Sequence, residues 1–346
     1  MFYSPRVFIE GVENVNLDSY NISYPGSNQL NKCSIVLSDP NFDGSALFGK
    51  RVELFVNCGS EDVIPTFRGV IKNINSSDIN VTLTCHDVRT YITGQQGKSI
   101  TFDDIRNYDG FSVGQYLKSY IEQHINTKDD VFIGTDMLTD VENCNNMNEV
   151  RGDMKVLDAA VGVLEDIIED TVGDEPLRYI FDVVEGPDYS NLVIKKQKSL
   201  KEKPSLSLSL NDGIKSFSYK RRPAPKSILI TNSKLDITTN IDLAGPNHGP
   251  FSASLSGAYE DTSSARKAGI LELRKLQQEI DEISLEVTRG HDIGLESLVF
   301  VKVENSEIDG IHRVVSKNIT GSMSGMQVNL ELNKRPVKVS DYLSKA

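Results

Sequence analysis

Short runs in which apolar and polar residues alternate fill the first hundred positions of this 346-residue chain. "RVFIEG" (6–11), "KCSIVLSD" (32–39), "RVELFVNCG" (51–59), "TFRGVIKNI" (66–74) and "INVTLTCHD" (79–87) are rich in β-branched residues and are separated by Gly, Asn, Asp, Ser or Pro. Such spacing predicts a small antiparallel barrel or sandwich. From about residue 98 the period lengthens. "FSVGQYLKSYIEQHI" (111–125) and "MKVLDAAVGVLEDIIEDTV" (154–172) place apolar residues three and four apart, which predicts two amphipathic helices. "RYIFDVVEG" and "NLVIKKQ" then read as a hairpin around "EGPDYSN".

The β pattern returns with "SLSLSL" (205–210), "IKSFSYKRR" and "KSILITNS", the last two divided by the stiff "PAP" of 223–225, where a domain boundary is expected. A Gly/Asn/Ser-rich stretch over 240–262 reads as a long loop. "SSARKAGILELRKLQQEI" (263–280) predicts a third helix, capped by Ser263 or Ser264, with Ile270, Leu273, Leu276 and Ile280 on its apolar stripe. The period then falls to two, and Ile283, Leu285 and Val287 alternate into Gly290. "LVFVKVE", "IHRVVSKNI" and "MQVNLELN" close the chain as strands.

One pattern occurs twice. "FRGVIKNINSSDINVTLT" (67–84) and "IHRVVSKNITGSMSGMQVNLEL" (311–332) both read as hairpins, and Lys72-Asn73-Ile74 is echoed by Lys317-Asn318-Ile319.

Composition adds limits. Hydrophobic residues at 38 % and charged residues at 25 %, without tryptophan, describe a globular chain. The start lacks a basic segment followed by an apolar core, and no apolar run reaches the ~18–20 residues that span a bilayer, so a protein made and kept in the cytoplasm, or leaving it by a route other than a signal peptide, is expected. A formal charge of −12 argues against nucleic acid as a retained ligand. The charge is unevenly spread: residues 129–175 hold fourteen acids against Arg151 and Lys155, and residues 195–226 hold ten bases against Glu202 and Asp212. These blocks are either solvated faces or complementary surfaces that set register.

Candidate chemistry is sparse. Cys33, Cys58, Cys85 and Cys144 form no C-x-x-C pair and read as reduced, buried thiols. His86, His124, His248, His291 and His312 show no metal-binding spacing, and no G-x-S-x-G, no P-loop and no G-x-G-x-x-G between a strand and a helix is expected. Acid pairs such as Asp103-Asp104 or Glu165-Asp166 would be arbitrary choices for a glycosidase-like site in so acidic a chain. No catalytic, cofactor-binding or metal residue is assigned, no cofactor is expected, and the chain is read as not an enzyme.

The order of elements resembles the baseplate hub proteins of contractile-tailed phages, with the late control protein D and type VI spike hub domains. Three places carry the resemblance. "DPNFDGSALFGKRVELFVNCGSEDVIPTFRGVIKNI" followed by "VTLTCHDVRTYITG" is similar to the family's first barrel. "LDAAVGVLEDII…YIFDVVEG…NLVIKK" looks like its helix-then-hairpin domain, and "SSARKAGILELRKLQQEIDEISLEVTRG" with the closing strands resembles its second barrel. Ile293-Gly294 and Gly310-Ile311 stand where the family often has Pro-Gly and Gly-Tyr.

The resemblance implies a β-rich α+β fold: two similar small antiparallel β-barrel domains with an inserted helix–hairpin domain. The expected division is a first barrel over 1–97 completed by 205–222, an inserted α+β domain over 98–204, and a second barrel over 223–346 with the helix at 263–280. It further implies a structural hub, a homotrimeric ring whose pseudo-sixfold face joins a hexameric tail tube to a trimeric central spike. Its expected partners are itself, the tail tube protein, the spike, tape measure protein and wedge proteins, with DNA only in transit through a channel that acidic residues would line. Its place would be the virion tail baseplate, after assembly in the host cytoplasm. A tail-associated cell-wall hydrolase and a carbohydrate-binding β module are the other classes weighed; neither a catalytic constellation nor an aromatic platform supports them.

Overall fold

The fold was analysed in a computed structural model that describes residues 4–26, 29–38, 44–56, 64–77, 79–92, 111–127, 132–138, 168–169, 177–198, 202–221, 225–242, 252–259, 261–278, 281–303 and 308–332. The chain is mostly β. Its first half contains β1 (Arg6–Ile9), β2 (Val12–Asn14), β3 (Leu17–Tyr24), β4 (Lys32–Leu37), β5 (Arg51–Phe55), β6 (Phe67–Ser76) and β7 (Val81–His86). An insert follows with α1 (Val113–His124), β8 (Ile133–Gly134), β9 (Ile168–Glu169), β10 (Leu177–Glu185) and β11 (Ser190–Lys196). Next come β12 (Leu206–Ser209) and β13 (Ile214–Arg221), then a satellite of β14 (Ser227–Asn232), β15 (Ile237–Asp242), β16 (Ser252–Gly257) and α2 (Thr262–Gln278). The chain ends its described part with β17 (Asp281–Val287), β18 (Leu298–Lys302), β19 (Gly310–Ser322) and β20 (Gly325–Leu332).

Two halves of the chain repeat one strand plan. The first half runs β3-β4-β7-β6-β5-β1 across the sheet, and the second runs β13-β17-β20-β19-β18-β12. Registers agree as well as order. β3 meets β4 at Tyr20↔Ile35 and Ile22↔Cys33, and β13 meets β17 at Phe217↔Leu285 and Tyr219↔Ile283, with a bulge at Asp18 in the one and at Lys215 in the other. The hairpins β6–β7 and β19–β20 are bulged at Lys72 and at Val315. Only the end strand differs in direction, β1 being antiparallel to β5 and β12 parallel to β18.

Backbone bonds before the bulged hairpins repeat the plan in detail. Gly49 N donates to Ile71 O (2.9 Å) and Ile71 N to Lys50 O (3.0 Å); Glu296 N donates to Val314 O (2.8 Å) and Val314 N to Ser297 O (2.9 Å). Both leading residues take a left-handed backbone, Gly49 at φ 81° and Glu296 at φ 63°. A Cβ on Gly49 would meet nothing within 4 Å, so Gly49→Ala tests the backbone alone. It is expected to lower stability by about 1 kcal/mol in urea unfolding, with Gly49→Asn losing less.

The two halves form one sheet because β3 also pairs antiparallel with the distal part of β19, and a single apolar cluster from Val7 to Leu332 runs beneath both. Within the insert, α1 starts at a capping box: Ser112 Oγ accepts from Gln115 N (3.2 Å) and Gln115 Oε1 from Ser112 N (3.1 Å). Val113, Tyr116, Leu117, Tyr120 and Ile121 form its buried face, as the period predicted. In the satellite, α2 lies on β14, β15 and β16 over Ile228, Ile230, Ile241 and Leu273.

Four expectations change. Residues 205–222 were expected to complete the first half, but β12 pairs with β18 and β13 with β17, so they belong to the second; the alternation that predicts a strand cannot name its partner. The helix expected over 154–172 falls mostly outside the described residues, and its described part, Ile168–Glu169, is extended and pairs with Leu177–Arg178, where a β-branched residue gains ladder bonds. The loop expected over 240–262 holds the end of β15 and all of β16, whose Ala253 and Leu255 pack inward between serines that mask the pattern. α2 is capped by Asp261, whose Oδ1 accepts from Ser264 N (2.7 Å), rather than by Ser263 or Ser264. That bond holds the Asp261 carboxyl below its ordinary value.

Candidate functional site

Among the described residues no group of three or more His, Cys, Asp or Glu is placed to hold a metal. His312 is buried with Nε2 3.0 Å from Ile308 O, and the ring of His124 lies 4.9 Å from that of Tyr120. Burial lowers His86, with Lys32 adding to the effect. Cys33 and Cys85 face each other across β4 and β7 as free, buried thiols. Burial raises Cys33 and pushes Cys85 up to about 12, the direction opposite to activation. Cys58, Cys144, His248 and the acid pairs Asp103-Asp104 and Glu165-Asp166 lie outside the described residues.

The expectation that the chain has no G-x-S-x-G is wrong as a statement of sequence, since Gly110-Phe111-Ser112-Val113-Gly114 fits that spacing. Such a serine acts as a nucleophile when it stands exposed on a strand-to-helix turn. Here Ser112 is buried and its hydroxyl caps α1.

The structure concentrates its polar contacts where three pieces meet: the two halves and the β10–β11 hairpin. Lys317, on β19, reaches past the strand junction and donates to His291 O (2.8 Å) and Ile293 O (2.7 Å), with Nζ 4.5 Å from the ring centre of Tyr24 on β3. Burial lowers the Lys317 ammonium to about 8, while Asp182 and Asp292 act to hold it up. The Tyr24 hydroxyl donates to Thr66 O (2.6 Å), and burial raises its pKa, with Glu185 adding to the effect.

Arg68, on β6, clamps the hairpin. Its Nε donates to Glu53 (2.7 Å), Nη1 to Gly186 O (3.1 Å) and Nη2 to Pro187 O (2.9 Å), and Nη1 lies 3.6 Å from Glu185. Arg51 donates to Asp188 O (2.9 Å) beside it. Glu185 also accepts from Ser190 Oγ (2.6 Å); burial raises its carboxyl to about 7 against the lowering effects of Ser190 and Arg68. A cleft of about 340 Å³ opens between these pieces, lined by Tyr24, Asp182, Glu185, Lys195, Asp292 and Lys317. Lys195 Nζ lies 3.5 Å from Asp182, and the two groups shifted toward neutral pH are already engaged, Glu185 by Ser190 and Arg68 and Lys317 by two main-chain carbonyls. Physically, the arrangement fixes two sheet halves and a hairpin against one another.

The acidic block of 129–175 lies mostly outside the described residues. Of the basic block, Lys195 pairs with Asp182, Lys215 with Glu286 and Lys226 with Asp242, none of them in the acidic block. Of the junction residues, Lys317 stood out in the sequence only as part of the hairpin echo, and Arg68 and Tyr24 did not stand out. The signal available for Tyr24 was the likeness of "LDSYNISY" (17–24) to "IKSFSYKR" (214–221), which alternates in step only once the bulge is known.

No family model and no curated protein sequence matches the chain. Solved structures do. A tail protein from Neisseria meningitidis MC58 superposes with a TM-score of 0.66 at 13 % identity, covering 96 % of either chain. The prophage MuSo2 43 kDa tail protein from Shewanella oneidensis gives 0.66 at 13 % identity, over 96 % of this chain and 97 % of its own. The E. coli c3393 protein, a type VI secretion system component with structural similarity to the T4 bacteriophage tail proteins gp27 and gp5, gives 0.50 at 9 % identity, over 96 % of this chain and 77 % of its own. The fold is therefore one found in phage tail proteins and a type VI secretion component.

Proposed function

We propose that this chain is the structural hub of a contractile tail or related injection machine, acting without catalysis. It assembles as a homotrimeric ring in the tail baseplate, its two repeated halves forming two barrel domains per chain. The observation that carries this reading is the repeat itself, the same strand order, bulges and left-handed turn present twice in one chain. A sixfold surface can be met by three chains only if each supplies the matching patch twice. The ring would thus present six like units to a hexameric tail tube and a threefold face to a trimeric spike, with tape measure and wedge proteins as further neighbours and DNA passing through its channel. The similarity to phage tail proteins over nearly the whole chain agrees with this.

Among the described residues no helix is long and apolar enough to cross a membrane. Light scattering of the purified chain at moderate and high salt should give a species near three times 38.4 kDa, seen as six lobes around a hole in negative stain. A dimer, or a monomer at both salt concentrations, overturns the trimeric hub.

A further inference from the structure

The repeat supplies an internal comparison at one row of the core. In the first half Ile22, Cys33, Cys85 and Ile71 lie side by side on β3, β4, β7 and β6. The same positions in the second half hold Tyr219, Ile283, Leu332 and Val314 on β13, β17, β20 and β19. The central pair is therefore aliphatic in one half and a pair of thiols in the other. Ile283 and Leu332 are 1 % and 0 % exposed, and Cys33 and Cys85 are both 0 % exposed. Aliphatic side chains fill this row in the second half, which carries no cysteine at all, so packing alone does not call for sulfur at both places.

Backbone geometry puts the two thiols within bonding reach. β4 and β7 run antiparallel with Cys33 directly opposite Cys85. Asp87 N donates to Asn31 O (3.1 Å), which makes residues 31 and 87 a hydrogen-bonded pair, and two residues along the ladder Cys33 and Cys85 are a pair of the same kind. Such pairs hold their Cα atoms about 5.5 Å apart, inside the window of about 4.4–6.8 Å that a disulfide spans. Both side chains belong to the one apolar cluster, and both thiols are free.

We propose that Cys33 and Cys85 are an oxidation site: in an oxidising medium they close a disulfide that staples β4 to β7. The two thiols give up two electrons and two protons as the S–S bond forms, and a small disulfide such as oxidised glutathione is reduced to two thiols. The bond closes the chain between residues 33 and 85, a segment that holds β5 and β6, and so stabilises chiefly by restricting the unfolded chain. It crosses the middle of the first half, between β3 at the junction and β6 with its Arg68 clamp. Burial sets the timing. It raises Cys33 and pushes Cys85 up to about 12, so neither thiol attacks until β4 and β7 part locally. A chain in a reducing cytoplasm keeps both thiols, and the staple forms after release. Only this order of events rests on the tail reading above; the bond does not.

The test uses the whole chain with Cys58→Ser and Cys144→Ser, so that two thiols remain. Held folded with oxidised glutathione, it should lose two hydrogens from its intact mass, yield a peptide pair linked through positions 33 and 85, and unfold at a higher urea concentration. Urea below the unfolding midpoint should speed the reaction, and dithiothreitol should reverse both changes. The same peptide mapping on the natural chain guards against a folding defect in the variant. Cys85→Leu, which borrows the residue of the second half, should unfold at the same urea concentration in reducing and oxidising buffer. A folded chain that keeps both thiols, while the urea-unfolded chain oxidises, overturns the proposal. A bond that lowers the unfolding midpoint, or a cysteine joined to glutathione in place of its partner, overturns it too. Neither result touches the hub reading.

Discussion

Replacing Arg68 with alanine is expected to lower stability by about 3–5 kcal/mol, because it strips the partner from carboxylates that are out of water. Arg68 is 3 % exposed and is the one side chain that bonds Glu53, Glu185 and the Gly186 and Pro187 carbonyls together. Glu53 keeps Arg51, but Glu185 keeps only neutral donors, Ser190 and the main-chain N–H of residue 68, and loses its cation. The sign of the pH dependence follows. Burial has already raised Glu185 to about 7, so the stability it contributes is complete below its ordinary carboxylate range and is lost as pH rises through its folded value. Without Arg68 the carboxyl climbs further, and the cost of the substitution grows from about pH 5 to about pH 8. Urea unfolding at both pH values measures it. Limited proteolysis should also find the Gly186–Tyr189 turn newly open, since Arg68 and Arg51 hold it to the sheet. An Arg68→Lys variant should recover little, because one ammonium cannot span the same fork of acceptors.

Lys317→Met is expected to cost about 2–3 kcal/mol near neutral pH. The His291 and Ile293 carbonyls lose their donor and the contact over Tyr24 loses its charge. Part of that loss is offset, because a buried ammonium is itself costly and burial has pulled this one down to about 8. A depressed lysine contributes stability above its unfolded pKa that is lost as pH falls through the folded one. The natural protein should therefore gain on the variant as pH rises from about 8 to about 10.5, and chemical unfolding across that range should show the gap widening. A gap that narrows instead would mean that Lys317 is not held by burial.

The same bulges that repeat between the halves explain what could be read from sequence. Val81, Leu83 and Cys85, or Ile283, Leu285 and Val287, alternate without interruption and are buried as the period-two pattern predicts. β3 was not read as a strand. Its buried residues Leu17, Tyr20 and Ile22 fall out of step because the bulge at Asp18 inserts a residue between the first two.

The hairpin echo was genuine in kind and shifted in register. Three identical residues align Lys72 with Lys317, but the bulges align Lys72 with Val315 and put Ile74 at the position of Lys317. A shift of two residues keeps every side chain on its own face, so sequence alone cannot detect it. The clamp was illegible for a different reason. Arg68 bonds Gly186 and Pro187 across more than a hundred residues, and only the folded insert brings them together.

The pairing of β3 with β19 also constrains the order of events at the ribosome. β3 is synthesised long before β19, so the first half must wait with that edge bare until the second half has emerged. Contacts between such distant segments are slow to form. During the delay β3 of one nascent chain is an open template for β19 of another, and chains translated side by side could exchange halves. Such an exchange would use the same hydrogen bonds as the correct fold, so an assembly of swapped chains would match in its contacts one of self-contained chains.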